Sequence, residues 1–210
     1  MDLMLLVVLI LGVSFVLRAK AQKQRIALLA QYLRNYDIEK LMERLVSSYM
    51  RALDEKDSNR QQQIWELQAS VENSLASQFS SFADTLAKAP EPANGASFKI
   101  STQAFYFPFS HLLEKLQGNR HSFDLRTAIR LHADGIARVV ANTAGRSPKD
   151  RAFTLLAEMY LMQHTCHWYC KSKAVASARM QLRNQTTYEQ VIQSVSPETR
   201  NAYLALLGER

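Results

Sequence analysis

Leu3 to Leu17 reads LMLLVVLILGVSFVL, an unbroken apolar run whose weakly polar member is Ser14. As a helix, Met1 to Leu17 covers about 25 Å at 1.5 Å per residue. A bilayer core is about 30 Å thick, so the span is short. Snorkelling by Arg18 and Lys20, and insertion of Ala19 and Ala21, complete it. The expected anchor side chains are Leu3, Leu5, Leu6, Val7, Val8, Leu9, Ile10, Leu11, Val13, Phe15, Val16 and Leu17. A cleaved signal peptide is the rival reading, because Ala19-Lys20-Ala21 resembles an A-x-A cleavage site. Against it, the segment before the run carries Asp2 and no Lys or Arg. The cations Arg18, Lys20, Lys23 and Arg25 all follow the run, and positive ends stay in the cytoplasm. The expectation is an uncleaved, single-pass anchor over residues 1–21 of an inner (cytoplasmic) membrane, with the N-terminus outside and the body in the cytoplasm.

Beyond the anchor the apolar period becomes helical. Ile26, Leu29, Leu33 and Tyr36 step by three or four, as do Leu41, Leu45, Tyr49 and Leu53. Met42, Val46 and Met50 widen that face, which suits a bundle better than a narrow dimeric seam. A break is expected near Asn35–Asp37, where either residue can cap a new helix. DEKDSNR at 54–60 marks a turn, and Ile64 through Leu86 then hold a 3–4 spacing, with Trp65 beside the stripe. Residues 22–87 therefore read as long amphipathic helices. Lys88 to Ser97, KAPEPANGAS, is the clear linker, and 88–100 is taken as the organisational boundary.

A helical C-terminal domain packed on the preceding helices is expected over 101–210. Its entrance, FKISTQAFYFPF at 98–109, is rich in aromatic and β-branched residues. With no evident strand partner it reads as an extended apolar loop, leading into a short helix from Pro108 to Gly118. Ser122 or Asp124 starts the next helix. Ser147-Pro148-Lys149-Asp150 is a strong start signal for another, expected to run to about Asn184. Thr186-Thr187-Tyr188-Glu189 matches a capping box, and Ser196-Pro197-Glu198 opens a last helix that ends at Gly208. The fold class is all-α: one N-terminal transmembrane helix followed by a cytoplasmic helical bundle.

Composition agrees with an ordinary globular body. Apolar residues make up 47% and charged residues 21%, which excludes disorder and collagen-like structure. Six glycines and five prolines are few for an all-β protein, and two cysteines exclude a disulfide scaffold.

The densest cluster of chemistry-bearing residues is HTCHWYC at 164–170. His164, Cys166, His167 and Cys170 are the candidate metal ligands. Zinc needs four converging ligands, usually from two elements, and no second C-x-x-C or H-x-x-x-H is present. Cys166 and Cys170 share the stripe of Ala152, Leu155 and Met159, so they read as buried thiols beside a partly exposed histidine pair. His132 reads as a core histidine, and His111 and His121 carry no recognisable spacing. Nucleotide-binding and nucleophile-elbow motifs are absent. No cofactor is expected.

Lys and Arg number 26 against 19 Asp and Glu, a net charge of +7. Arg126, Arg130 and Arg138 fall on one helix face, where they are expected to be exposed, and Lys171, Lys173, Arg179 and Arg183 form a second basic stretch. Both can meet anionic lipid, or the phosphates of nucleic acid. Nucleic acid is the less favoured partner, because aromatic residues are not interleaved with the cations. The reading is a non-enzymatic adaptor, scaffold or accessory subunit of an inner-membrane assembly, with a protein partner. The alternatives are a metal- or thiol-dependent enzyme or sensor built on the Cys/His cluster, and a membrane-tethered nucleic-acid binder.

Overall fold

The structure, a computed structural model, describes residues 3–92, 96–102 and 122–209. Eight helices and two short strands occur among them. They are α1 (Leu3–Leu33), α2 (Ile38–Asp54), α3 (Ser58–Ala87), β1 (Lys99–Ser101), β2 (Ser122–Asp124), α4 (Leu125–Ala141), α5 (Pro148–Cys170), α6 (Lys173–Asn184), α7 (Tyr188–Ser194) and α8 (Pro197–Leu207). The expected all-α bundle is found. The helix expected from Pro108 to Gly118, with His111 and His121, lies outside the described residues.

Local chemistry places most breaks. Asp57 accepts from the backbone N–H of Asn59 and Arg60 and starts α3. Asp124 caps α4 through Arg126 N–H, and Ser147 caps α5 through Asp150 N–H with Pro148 at the first turn. These oxygens satisfy N–H groups that have no partner inside the helix. Gly208 ends α8 with φ 74°, a left-handed conformation that glycine adopts without steric cost.

Three expectations are corrected. The helix from Pro148 to about Asn184 is two helices, broken at Lys171–Ser172. The Ser172 hydroxyl accepts Val175 N–H and caps α6, so it competes with continued helix. The capping box lies one residue later than expected, at Thr187 and Gln190. Residues 99–101 of the expected extended loop form β1, antiparallel to β2 with Ile100 opposite Phe123. The strand partner was hidden because 122–124 also starts α4.

α5 is the central element. One face packs with α1, α2, α4 and β1, the other with α6 and α7. The larger core holds Tyr49, Leu75, Phe79, Phe82, Ile129, Leu155 and Tyr169, and it crosses the 88–100 linker without a gap. A second core joins Leu161 to Met180, Val191, Ile192 and Tyr203. α1 does not stop at the apolar run. It continues to Leu33, with Leu28 and Leu29 buried and its lower half packed on α3 and α5.

Candidate functional site

The junction between the apolar run and the body is the first site of interest. The apolar side chains from Met4 to Leu17 are all exposed, and α1 is long and apolar enough to cross a membrane. Arg18, Lys20 and Lys23 are exposed just beyond them. Arg25 is half-buried, donates from Nη1 to the Tyr169 carbonyl at 3.3 Å, and lies 5.6 Å over the Tyr169 ring. Lys171 Nζ donates to Gln22 Oε1 at 2.9 Å. The end of α5 is thereby pinned to α1 one turn past Arg18.

The Cys/His cluster is arranged differently from expectation. His164 is buried, not partly exposed, while Cys166 and Cys170 are only half-buried. The stripe through Leu155 and Met159 is one of two buried faces of α5, and His164 lies towards the second core. Its Nε2 is 3.0 Å from Ser177 Oγ, and its ring is 4.6 Å from that of Tyr188 and 6.0 Å from that of Trp168. Burial first, then the nearby Lys173 and His167, push its pKa down to about 4. His167 is half-buried, and its pKa is lowered by burial and by Arg179 and Arg183. Cys166 Sγ lies 3.8 Å from Met162 Sδ. Burial raises both thiol pKa values, which keeps them protonated and weakly nucleophilic. Among the described residues no three His, Cys, Asp or Glu side chains converge as metal ligands.

Three buried polar clusters join the helices instead. Tyr49 donates to Glu72 Oε1 at 2.6 Å, and Arg151 reaches Glu72 Oε2 at 3.1 Å, tying α2, α3 and α5 together. Glu158 Oε1 accepts from Ser196 N–H at 3.1 Å and from its hydroxyl at 2.7 Å, so a side chain of α5 caps α8. Burial raises the Glu158 pKa against the pull of Ser196, Thr199 and Arg138. Gly135 allows this approach: a Cβ there would lie 2.5 Å from Thr199 Oγ1 and 2.7 Å from Glu158 Oε2. In the third cluster, Thr165 Oγ1 is 2.9 Å from His132 Nε2 and 3.0 Å from the Tyr203 hydroxyl. Burial, with a smaller contribution from His164, pushes the His132 pKa down to about 3. His132 is a core residue, as expected, though Nδ1 has no partner among the described residues. Glu72 and Glu158 escaped the sequence reading. Their signal is a carboxylate set within apolar spacing, between Val71 and Leu75 and between Leu155 and Met162.

The two basic stretches also separate. Arg126, Arg130 and Arg138 are half-buried rather than exposed. Arg126 Nη2 is 2.7 Å from both Glu91 and Asp124, and its guanidinium lies 4.8 Å over the Phe98 ring. Arg130 pairs with Asp84, and Arg138 reaches Thr199 Oγ1 at 3.4 Å. Lys173 lies 4.7 Å over Tyr188 and 5.1 Å over Trp168, and meets Glu209 at 3.5 Å. Arg179 and Arg183 are exposed and pair with no carboxylate among the described residues.

Comparison with known protein families, with curated proteins and with solved structures finds no match.

Proposed function

We propose that this chain is a single-pass protein of the inner membrane, with its N-terminus outside and its body in the cytoplasm. The body acts there as an adaptor, scaffold or accessory subunit of a membrane assembly. The observation that carries this reading is the continuity of α1. The exposed apolar run and the helix docked on α3 and α5 are one uninterrupted element, so the body is held at the membrane without a flexible linker. The orientation follows from Arg18, Lys20, Lys23 and Arg25, all on the body side of the run. Two cysteines present as free thiols suit a reducing compartment. On the body, Leu67 is 69% exposed and Phe153 is 50% exposed, and these are the positions at which a protein partner is sought.

Two measurements test the reading. A reporter fused after Arg210 should be active only in its cytoplasmic form, and a mature chain beginning at Gln22 in the periplasm overturns the topology. Photocrosslinkers at Leu67 and Phe153 in native membranes should give a discrete adduct with a membrane-complex subunit. Full-length protein that gives no adduct, yet retains nucleic acid at about 150 mM salt, replaces the adaptor reading with the nucleic-acid one.

A further inference from the structure

We infer that α6 rests on the anionic headgroup layer of the membrane that α1 spans, and that Val175, Ala178 and Leu182, flanked by Arg179 and Arg183, form the contact. The inference rests on the single-pass reading and deepens it.

Position is the first argument. A hydrocarbon core of about 30 Å takes in Ala19 and Ala21, so Gln22 lies just past the end of the anchor, about 1.5 Å along the helix from Ala21. The headgroup zone on each side of the hydrocarbon core is about 5–7 Å deep. The Lys171–Gln22 hydrogen bond therefore holds Lys171, two residues before α6, near the depth of the headgroups. The Arg25 contact with the Tyr169 carbonyl fastens the same corner a second time.

Charge is the second argument. No Asp or Glu occurs between Asp2 and Asp37, nor between Glu158 and Glu189. Those two acid-free stretches are the ones the Lys171–Gln22 and Arg25–Tyr169 contacts bring together. Arg18, Lys20, Lys23, Arg179 and Arg183 are exposed within them. A surface of that kind complements anionic lipid and would repel a basic partner.

The face of α6 supplies the third. Ala176 and Met180 are buried against the body. Leu182 is 84% exposed and Val175 38%, one and the other spaced seven residues apart on the side away from the body, with Ala178 exposed between them. An outward apolar strip beside two cations is the form of a helix that lies in a lipid interface. Arg126, Arg130 and Arg138 take no part, because their charge is spent on groups of the body itself. Lys173 takes no part for the same reason, held between Trp168 and Tyr188.

The full chain carrying Leu182→Trp, reconstituted in vesicles with bromine-labelled acyl chains and read after subtraction of the parent chain's Trp65 and Trp168 emission, tests the contact. Phe15→Trp and Leu67→Trp serve as references for the anchor and for the body surface. In phosphatidylcholine containing phosphatidylglycerol, the emission of the Leu182→Trp protein should be quenched well beyond that of Leu67→Trp. Adding Arg179→Gln and Arg183→Gln should lower the docked-to-undocked ratio about 30-fold and erase the difference. Quenching at position 182 no greater than at 67 overturns the inference, and so does quenching there that is equal in pure phosphatidylcholine. In either of those cases a strongly quenched Phe15→Trp protein leaves the single-pass reading standing, whereas an unquenched one removes both.

Discussion

Two regions carry basic residues, and they use them in opposite ways. In the body, Arg126, Arg130 and Arg151 each meet a carboxylate: Asp124 with Glu91, Asp84 and Glu72. At the junction of the apolar run with the body, Arg18, Lys20, Lys23, Arg179 and Arg183 are exposed and meet none among the described residues. The difference is one of surroundings rather than of residue type. The Arg151–Glu72 pair is out of water and needs both partners, whereas charge at the junction stays in water and remains available to a surface.

The largest test of that contrast is Arg151→Met. It leaves the Glu72 carboxylate buried beside Tyr49 without its counter-charge, and should cost about 3 kcal/mol of stability. Denaturant unfolding of the full chain in mild detergent measures it. A cost near zero would mean that pairing in the body matters no more than at the junction.

Acid probes the buried groups that have no counter-charge. His132 and His164 have folded pKa values lowered to about 3 and about 4, against roughly 6.5 unfolded. Between those limits the unfolded chain binds more protons, so stability is complete above about pH 6.5 and falls as pH drops. Each histidine contributes up to about 1.4 kcal/mol per pH unit in that window. The protonation of Glu158, whose pKa is raised, acts in the opposite sense. His132→Gln should remove one histidine's share of the slope. An unchanged slope would show that His132 protonates freely while folded.

Arg126→Ala comes next, with an expected loss of about 1–2 kcal/mol. The side chain is about one quarter exposed and holds Asp124, Glu91 and the Phe98 ring. The smallest effect belongs to Arg179→Ala and Arg183→Ala, each within about 0.5 kcal/mol of the parent. Thermal unfolding compares the three, and equal losses would erase the distinction between the regions.

The sequence made the N-terminal apolar helix and nearly all helix starts legible. Those features depend on a few adjacent residues: the run from Leu3 to Leu17, Asp57 before α3, Pro148 after Ser147, and Gly208 at the end of α8. It misjudged what faces inward on α5. A single stripe through Leu155 and Met159 put the thiols against the core, where they pack, and left the histidine pair partly exposed, which holds for His167 and fails for His164. α5 in fact has two buried faces, and His164 lies on the second.

Length, composition and local spacing determined an N-terminal apolar helix joined to an all-α body, because caps, breakers and helical periodicity act within a few residues. Tertiary structure decided the fate of the charges. Arg126 finds Glu91 across 35 residues, Ser196 finds Glu158 across 38, and Lys171 finds Gln22 across 149. No local pattern encodes such partners. Side chains distant in sequence become neighbours only when helices pack, and packing is set by the whole set of apolar faces at once.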